Sequence, residues 1–494
     1  MNSSQKEQHT SLENYFDTYR KNTIGVDYQF ESVYGTQNLL YADWIASGRL
    51  YKPIEDLICN QIGPLMANTH SFSSESGKAA TYAYREARRI IRNHVNADED
   101  DVLVTTGSGM TGALAKLQRI MGLNRLEKQK DEKDRPVIFI SHMEHHSNQV
   151  SWQSLEADVI LLQPDSNLQI NPLELEKELF KYKDRKLKIG SFTACSNVTG
   201  AITPYHRLAQ LMHCHNGLCF VDFAASAPYE PINMHPDNPS QKLDAIFFSP
   251  HKFLGGPGSC GVLVYDKHLH KNPHPDTPGG GNVKWTNPWG KYGYHQDTET
   301  REDGGTPGIL QVIRTALCIR LKEQMNPVRM KAREQELLHL FYDGVKNIPE
   351  LDLLCNPETD SIGCVAFNIT GMHYNLVVRL LNDRFGIQTR GGWSCASSFA
   401  HFLMQLEPRQ SADLVQAIEN SQMGEKPGWV RLSLHPIMTN AEVFFIINAI
   451  NEIIRNQQEW ASAYTYNPAT NEFESIHQDD GPLQERMKAL FKKI

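Results

Sequence analysis

Short, continuously apolar segments alternate with helical patterns through the middle of the chain, and this alternation limits the folds that the chain can adopt. The seven segments with the length of buried strands are Val102–Thr105, Val137–Ile140, Val159–Leu162, Leu187–Phe192, Leu218–Val221, Ala245–Phe248 and Val262–Tyr265. Strands that are apolar on both faces are typical of a mostly parallel sheet with helices on both sides. The pattern therefore predicts an α/β domain built on a seven-stranded, mostly parallel sheet.

The pattern changes after about Thr306, where helical periodicity dominates from Ile309 to roughly Lys346. Further strand candidates follow at Gly363–Ile369, Ile387–Arg390 and Val430–Leu434. A chain of 494 residues is long enough for one large and one smaller domain. We expect an N-terminal segment (1–33) that joins the small domain, a large α/β domain (34–310), a smaller α+β domain (311–463) and a C-terminal tail (464–494). Within the large domain, residues 271–305 are predicted to form a long loop or a hairpin.

Composition and charge exclude several classes of protein. The net charge of −8 gives no reason to expect nucleic acid or an anionic membrane as a partner. No apolar segment approaches the ~18–20 residues needed to cross a bilayer, and the polar, partly acidic N-terminus fits no secretory or transit signal. Nine cysteines without regular spacing do not indicate a disulfide framework. We therefore expect a cytoplasmic protein with free thiols and, since no complete ligand set is recognisable, no metal site.

Lys252 stands in an unusual place for a surface charge, between the predicted strand Ala245–Phe248 and a glycine-dense turn. Thirty residues upstream, Asp222 follows the strand Leu218–Val221. A residue at the carboxyl end of a parallel strand points into the crevice where open α/β sheets bind ligands. Alone, Asp222 would be interpreted as a helix cap or a loop residue. Together, a lysine that forms a Schiff base and an acid that keeps the pyridine nitrogen protonated predict pyridoxal 5'-phosphate as the cofactor.

A glycine-rich turn provides a candidate phosphate site. Ser108, Gly109 and Met110 follow the first predicted strand and open a helical pattern. Free backbone N–H groups and the positive end of a helix dipole suit a phosphate monoester. A glycine-rich turn is weak support by itself, and the Gly-Lys-Ser/Thr of a Walker loop is missing.

Several motifs occur in the order in which one family has them. Between about Tyr41 and His435 they include Met143-Glu-His-His-Ser-Asn148, Ser196-Asn-Val-Thr-Gly200, Gly305-Thr-Pro307 and Thr389-Arg-Gly-Gly-Trp-Ser-Cys-Ala396. With these motifs the chain resembles the class V aminotransferase group of fold-type I pyridoxal-phosphate enzymes. Within that group it resembles the cysteine desulfurase and selenocysteine lyase branch.

The resemblance implies a set of cofactor contacts. It implies that a histidine stacks on the pyridine ring, His145 as the first choice and His146 as the second, and that Asn197 contacts the ring oxygen or the substrate. Ser249 and His251 would bind the phosphate on either side of the Schiff-base lysine. Thr306 would reach the phosphate of a neighbouring subunit, which implies a homodimer with shared active sites.

The segment around Cys395 discriminates most strongly between reactions. Desulfurases carry Arg-x-Gly-x-x-Cys-Ala, and this chain has the pattern from Arg390 to Ala396. The resemblance implies that Arg390 clamps the substrate carboxylate with a two-donor fork. It also implies that the Cys395 thiolate accepts sulfur from L-cysteine, which leaves alanine and an enzyme persulfide for a possible acceptor protein. Ala225 departs from the family, which usually has a glutamine or histidine near the ring oxygen.

Two alternatives to the desulfurase hypothesis stay open. The first is another pyridoxal-phosphate reaction on the same scaffold, such as transamination, epimerisation or a lyase step, in which Cys395 only packs. The second is a catalytically silent scaffold that keeps the fold to bind a partner. The lysine, the aspartate, the histidine and the arginine are all present, and this argues against the silent scaffold.

Overall fold

The computed structural model describes residues 11–125, 131–477 and 481–493. Its centre is a seven-stranded sheet. In chain order the strands are β1 (Asp101–Thr106), β2 (Val137–Ile140), β3 (Asp158–Leu161), β4 (Lys188–Thr193), β5 (Leu218–Asp222), β6 (Ala245–Phe248) and β7 (Gly261–Asp266). Their spatial order is β1-β7-β6-β5-β4-β2-β3. The predicted seven strands are confirmed, each within a residue of its expected ends.

One strand of this sheet runs against the others. The pairs among β2 to β6 are parallel, whereas β7 is antiparallel to both of its neighbours, β1 and β6. The connection from β6 to β7, residues 249–260, therefore stays at the edge of the sheet where the parallel strands end. Lys252 lies in this connection.

The sheet separates two hydrophobic clusters, because successive side chains of a strand point to opposite faces. Phe247 belongs to one cluster and Phe248 to the other. The Phe247 face is covered by the helices Met110–Ile120 and His146–Gln153, and the Phe248 face by helices that include Glu75–His94 and Tyr205–Cys214. Helices on both faces of a mostly parallel sheet confirm the predicted α/β fold.

A second, smaller sheet follows in the chain. Its strands are β8 (Leu351–Leu353), β9 (Cys364–Ile369), β10 (Arg390–Gly392) and β11 (Trp429–Ser433), and all of its pairs are antiparallel in the order β8-β9-β11-β10. The helices Tyr374–Phe385 and Asn440–Arg455 pack together beside it. The two-residue strand Leu40–Tyr41 pairs with Ile387–Gln388, so the N-terminal part of the chain is held close to this sheet.

Further helices and hairpins complete the described structure. The remaining α-helices are Leu12–Lys21, Lys52–Leu57, Pro172–Lys181, Thr298–Glu302, Ile309–Met325, Pro327–Val345, Ser397–Leu403, Pro408–Glu419, Gln457–Ala461 and Gly481–Leu490. Two-stranded hairpins pair Gln29–Ser32 with Gly35–Asn38, Val283–Thr286 with Tyr292–Tyr294, and Tyr464–Asn467 with Glu472–Ser475. Within the described ranges, no helix is both long enough and apolar enough to cross a membrane.

Asn216 takes the left-handed backbone conformation after the helix Tyr205–Cys214; asparagine tolerates this conformation better than most residues. Two local predictions differ from the structure. Asn326 interrupts the helical region that starts at Ile309, because Pro327 begins a new helix. The strand candidate Ile387–Arg390 is divided into Ile387–Gln388 and β10, which pair with different strands.

Candidate functional site

A cavity of about 470 Å³ lies at the edge of the large sheet where the parallel strands end. β4 ends there at Thr193, β5 at Asp222, and Ser249 follows β6. The start of the helix Met110–Ile120 and the segment after β10 complete the wall. The crevice is thus formed by both sheets, at the position where open α/β sheets bind ligands.

Nearly all of the site residues predicted from the sequence meet in this cavity. Its lining includes Ser108, Gly109, Met110, His145, Asn197, Asp222, Ser249, His251, Lys252, Arg390 and Cys395. Thr306 is exposed and is not among the lining residues. Its predicted contact is with a second subunit, so it stays a prediction.

Asp222 and Lys252 form the charged interior of the cavity. Asp222 is buried, and its Oδ1 accepts the backbone N–H of Ala224 at 2.8 Å. Burial raises the pKa of Asp222 to about 6, and the charge of Lys252 acts in the opposite direction. Burial likewise lowers the pKa of Lys252, against the effect of Asp222. An amine with a lowered pKa loses its proton more readily, which a nucleophile or a general base requires.

His145 is held as a neutral ring. It is the N-cap of the helix His146–Gln153, and its Nδ1 accepts the backbone N–H of Ser147 at 3.1 Å. Burial, with a further contribution from Lys252, lowers the pKa of His145 to about 4. A neutral imidazole can stack on an aromatic ring without bringing a second positive charge beside Lys252.

Glu144 supports this part of the site and was not singled out from the sequence. Its carboxylate is completely buried and accepts hydrogen bonds from the hydroxyl of Ser141 (2.6 Å), the side-chain amide of Asn148 (2.7 Å) and the backbone N–H of Thr193 (2.9 Å). Burial raises the pKa of Glu144 to about 7, and these donors act in the opposite direction. Glu144 therefore joins the segment that carries His145 to the end of β4. A glutamate directly before the paired histidines is the signal that could have identified it.

The start of the helix Met110–Ile120 fits a phosphate group. The Ser249 Oγ accepts the backbone N–H of Met110 at 2.9 Å, which leaves its own hydrogen free to donate. A Cβ atom at Gly109 would lie 2.9 Å from this oxygen, so only glycine leaves the cradle open. The buried Nε2 of His251 has no hydrogen-bond partner among the described residues. A helix start, a hydroxyl and an unpartnered imidazole are the donors that a phosphate monoester takes.

Two arginines share one carboxylate at the other side of the cavity. Asp43 accepts Nε of Arg390 at 3.0 Å and Nη2 of Arg431 at 2.8 Å. Arg431 also donates to the backbone carbonyl of Asn197 at 3.1 Å, and its side chain is 4% exposed against 56% for Arg390. Sequence reasoning singled out Arg390 but missed Arg431 and Asp43. A charged residue inside the apolar strand candidate Val430–Leu434 was the available signal.

Cys395 lies on a loop at the rim of the cavity. Its side chain is exposed, and it precedes the helix Ser397–Leu403. The loop is anchored twice: the backbone N–H of His146 donates to the Cys395 carbonyl at 2.7 Å, and the Asn197 side chain donates to the Ser394 carbonyl at 2.7 Å. Ser394 and Cys395 both have positive φ angles, +51° and +57°. Two consecutive left-handed residues other than glycine are costly and are typical of functional loops.

Ala225, which stands where a glutamine or histidine was expected, also lines the cavity. Ala224 and Ala225 form a wall beside Asp222 and are buried. Neither side chain can donate a hydrogen bond, so a ring oxygen at this wall needs another donor. Asn197 is a candidate by chemistry, because its side chain lines the same cavity and its NH2 group, which donates one hydrogen to the Ser394 carbonyl, has a second hydrogen to donate.

The fold and the site place this protein among the enzymes of fold type I. A family model described as aminotransferase class-V matches residues 40–444, and the chain belongs to this family. It is 27% identical over 379 residues to a probable cysteine desulfurase of Halobacterium salinarum, covering 74% of this chain and 84% of that protein. It is also 27% identical over 385 residues to a probable cysteine desulfurase of Staphylococcus epidermidis, covering 76% and 87%.

Solved structures support the fold. The chain is similar to a cysteine desulfurase from Thermococcus onnurineus, with a TM-score of 0.69 and 24% identity over 85% of this chain and 95% of the other. A cysteine desulfurase from Escherichia coli gives a TM-score of 0.70 and 20% identity over 89% and 98%. At this level of identity the similarity establishes the architecture only.

Proposed function

We propose that this protein is a pyridoxal-phosphate-dependent enzyme that removes sulfur from L-cysteine, forming alanine and a persulfide on Cys395. The observation that carries the proposal is the placement of an exposed cysteine in the same cavity as Lys252 and Asp222. The names of the curated relatives, probable cysteine desulfurases, support the same reaction.

The residues present fit the cofactor. Lys252 would hold it covalently through its amine, and the carboxylate of Asp222 would lie against the pyridine nitrogen. His145 would stack on the ring, while Ser249, His251 and the backbone of Ser108 to Met110 would bind the phosphate. Bound pyridoxal phosphate supplies an electron sink for the pair of electrons released at the substrate α-carbon.

Lys252 is the group that moves protons. Because burial lowers its pKa, the amine is available as a base at the α-carbon once the substrate has entered. The same amine then returns the proton when the product is released.

Cys395 is the sulfur acceptor in this proposal. Its thiol first gives its proton to water, and the thiolate then attacks the sulfur of the substrate. A sulfur–sulfur bond forms while the bond between that sulfur and the substrate β-carbon breaks. The electron pair of the broken bond stays with the β-carbon, which takes up a proton to become the methyl group of alanine. Cysteine and one enzyme thiol thus give alanine and one enzyme persulfide.

The two arginines orient the substrate. Each presents donors toward the cavity, and a guanidinium binds a carboxylate through two parallel hydrogen bonds. Arg431 is buried and fixed by Asp43 and the carbonyl of Asn197, so it offers the more rigid position. We propose that Arg431 and Arg390 together bind the α-carboxylate.

A homodimer and a sulfur acceptor are part of the proposal. Thr306 is exposed outside its own cavity, as a residue must be if it contacts the phosphate of a second subunit. Cys395 is exposed at the cavity rim, where a thiol of another protein could attack the persulfide. Cross-linking of purified protein would report the first, and transfer of labelled sulfur the second.

A single-turnover reaction with L-cysteine tests the proposal. Purified wild type, Cys395→Ala and Lys252→Ala are each mixed with substrate, and alanine and protein-bound persulfide are measured. We expect wild type to form both, Cys395→Ala to lose the persulfide, and Lys252→Ala to lose both products together with the cofactor absorbance. If wild type carries the cofactor on Lys252 but forms no alanine from L-cysteine, the desulfurase proposal is wrong and another class V reaction must be sought.

A further inference from the structure

His146 holds the chain directly after Cys395 by two kinds of hydrogen bond. Its backbone N–H donates to the carbonyl of Cys395 at 2.7 Å. Its imidazole Nε2 accepts the backbone N–H of Ser397 at 3.0 Å and lies 2.7 Å from the hydroxyl of the same serine. One histidine therefore fixes two consecutive peptide groups that follow the reactive cysteine.

The helix that begins after Cys395 lacks a cap of its own. The first N–H groups of a helix have no partner within the helix, and a serine, threonine, asparagine or aspartate at the N-cap position commonly accepts one of them. The helix Ser397–Leu403 has Ala396 at that position, and Ala396 makes no such hydrogen bond. The imidazole of His146, which comes from the start of another helix, supplies an acceptor to this end instead.

The loop needs such support because its backbone is strained. Ser394 and Cys395 have φ angles of +51° and +57°, and a conformation of this kind persists only where the surrounding structure holds it. Asn197 holds the Ser394 carbonyl, and His146 holds the next two peptide groups. Since the Cys395 side chain is exposed, the place of its sulfur at the cavity depends on these backbone contacts.

The paired histidines divide two tasks between them. His145 lines the cavity, whereas His146 is not among the lining residues. Burial lowers the pKa of His146, and the charge of Lys426 acts in the same direction, so the ring is neutral near pH 7. To accept the N–H of Ser397, the neutral ring carries its proton on Nδ1. One residue of the pair thus faces the cofactor site, and the other faces the loop of Cys395.

We propose that His146 is a positioning residue for sulfur transfer: its Nε2 and its backbone N–H hold the segment from Cys395 to Ser397 so that the Cys395 sulfur stays at the cavity. The inference rests on the proposed function, because it takes Cys395 as the sulfur acceptor. The rate of a reaction between two held groups depends steeply on their relative placement. Loss of the Nε2 contact should therefore slow the sulfur step without removing the cofactor.

Two amide substitutions in the full-length, cofactor-loaded protein test the role of Nε2. The side-chain oxygen of His146→Gln extends about as far as the imidazole Nε2, whereas His146→Asn is one methylene shorter and stops short of Ser397. Both variants are uncharged and keep the backbone N–H that donates to Cys395. His146→Leu, which has no acceptor, replaces His146→Asn if that variant does not accumulate as folded protein. Ser397→Ala is the matched control, because it removes the hydroxyl contact and keeps the backbone N–H.

Hydrogen–deuterium exchange, followed by mass spectrometry at pH 7, measures how firmly the segment is held. We expect the peptide that covers residues 394–403 to exchange about three- to tenfold faster in His146→Asn than in wild type. His146→Gln and Ser397→Ala should stay within about twofold of wild type. Equal exchange in wild type, His146→Asn and His146→Leu would mean that Nε2 does not hold the segment, and the proposal would be wrong.

The rate of persulfide formation in a single turnover with saturating L-cysteine measures the effect on the reaction. We expect His146→Asn to be about three- to tenfold slower than wild type, with unchanged cofactor absorbance, and His146→Gln to recover most of the rate. A wild-type rate in His146→Asn despite faster exchange would overturn the proposal, since the contact would then serve the fold alone. Equal losses in His146→Gln and His146→Asn would also overturn it, because an acceptor at the position of Nε2 would not be what matters.

The two measurements separate this inference from the proposed function. Exchange needs no turnover, whereas alanine and persulfide appear only after L-cysteine is added. If wild type forms no alanine, the desulfurase proposal is wrong whatever the exchange shows. If wild type forms alanine and persulfide while His146→Asn neither exchanges faster nor reacts more slowly, the desulfurase stands and the role of His146 is wrong.

Discussion

The inner and outer halves of the cavity differ in almost every physical respect. The inner half is formed by strand ends of the large sheet, and Asp222 there is completely enclosed. The outer half is formed by a loop of the smaller sheet, where Cys395 and Arg390 are exposed and the backbone is left-handed at two residues. The inner half holds groups whose pKa values are displaced by burial, whereas the outer half holds groups open to solvent.

This difference separates two tasks. Buried groups at strand ends are positioned by the whole sheet, so they suit a cofactor that every member of such a family needs. An exposed loop can change without disturbing the core, and a few residues in it can redirect the reaction. Substitutions in the inner half should therefore change both stability and activity, and substitutions at the rim should mainly change activity.

Loss of the negative charge of Asp222 should have the largest effect on activity. In Asp222→Asn the side chain keeps the acceptor for the Ala224 N–H but loses its negative charge. We expect alanine formation from L-cysteine to fall roughly 10³-fold, while the cofactor absorbance shows that Lys252 is still loaded. Asp222→Glu, which keeps the charge, is the matched control. Activity within a factor of three of wild type would mean that the inner carboxylate does not act on the cofactor.

The two arginines should differ according to their burial. Arg431→Lys removes a buried two-donor group, and we expect the KM for L-cysteine to rise roughly 100-fold. Arg390→Lys changes a side chain that is largely solvated, so a rise of less than about tenfold is expected. Steady-state kinetics on both variants measures the contrast. A larger effect at Arg390 would assign carboxylate binding to the rim instead.

Glu144 tests whether the inner half also determines stability. Glu144→Ala leaves the hydroxyl of Ser141, the side-chain amide of Asn148 and the N–H of Thr193 without their acceptor, so the free energy of unfolding at low pH should fall by about 2 kcal/mol. Burial raises the pKa of Glu144 to about 7, so its contribution to wild-type stability is present below about pH 4.5 and is lost as the pH rises toward 7. The difference between wild type and variant, measured by urea unfolding, should shrink over that range. A difference that grows with pH would contradict the assignment.

The smallest effect is expected for substitutions of Ser394, at the rim of the cavity. Ser394→Gly removes a side chain from a residue with a φ of +51° and a buried hydroxyl that has no partner among the described residues. We expect the free energy of unfolding to rise by about 0.5–1 kcal/mol and persulfide formation to slow, because the loop gains freedom. Ser394→Ala, which removes the hydroxyl without relaxing the backbone, should not show the gain in stability. Equal stabilisation by both substitutions would attribute it to the hydroxyl.

The sequence predicted the inner half better than the outer half. The strands of the large sheet are continuous apolar segments, and the residues that follow them had to meet at one edge; Asp222 and Lys252 could be placed for this reason. The contact of Asp43 with Arg431 joins residues 388 positions apart, and no local pattern contains that information. The Lys426 ammonium lies 4.6 Å from the ring centre of Trp393, and this contact likewise depends on how the segment between the two residues folds back. Glu144 was inside a recognised motif, and two of its donors, Ser141 and Asn148, lie within 4 residues of it, but the third, Thr193, is 49 positions away.

The antiparallel strand β7 has a consequence for the stereochemistry of the proposed reaction. Since β7 returns from the edge where β6 ends, the connection with Lys252 is anchored at both of its ends on neighbouring strands. In the proposed reaction, a lysine held by this connection reaches the α-carbon of a bound amino acid from one side, so protons are taken and returned on a single face of that carbon. Substrate treated in heavy water should therefore exchange its α-hydrogen without becoming racemic.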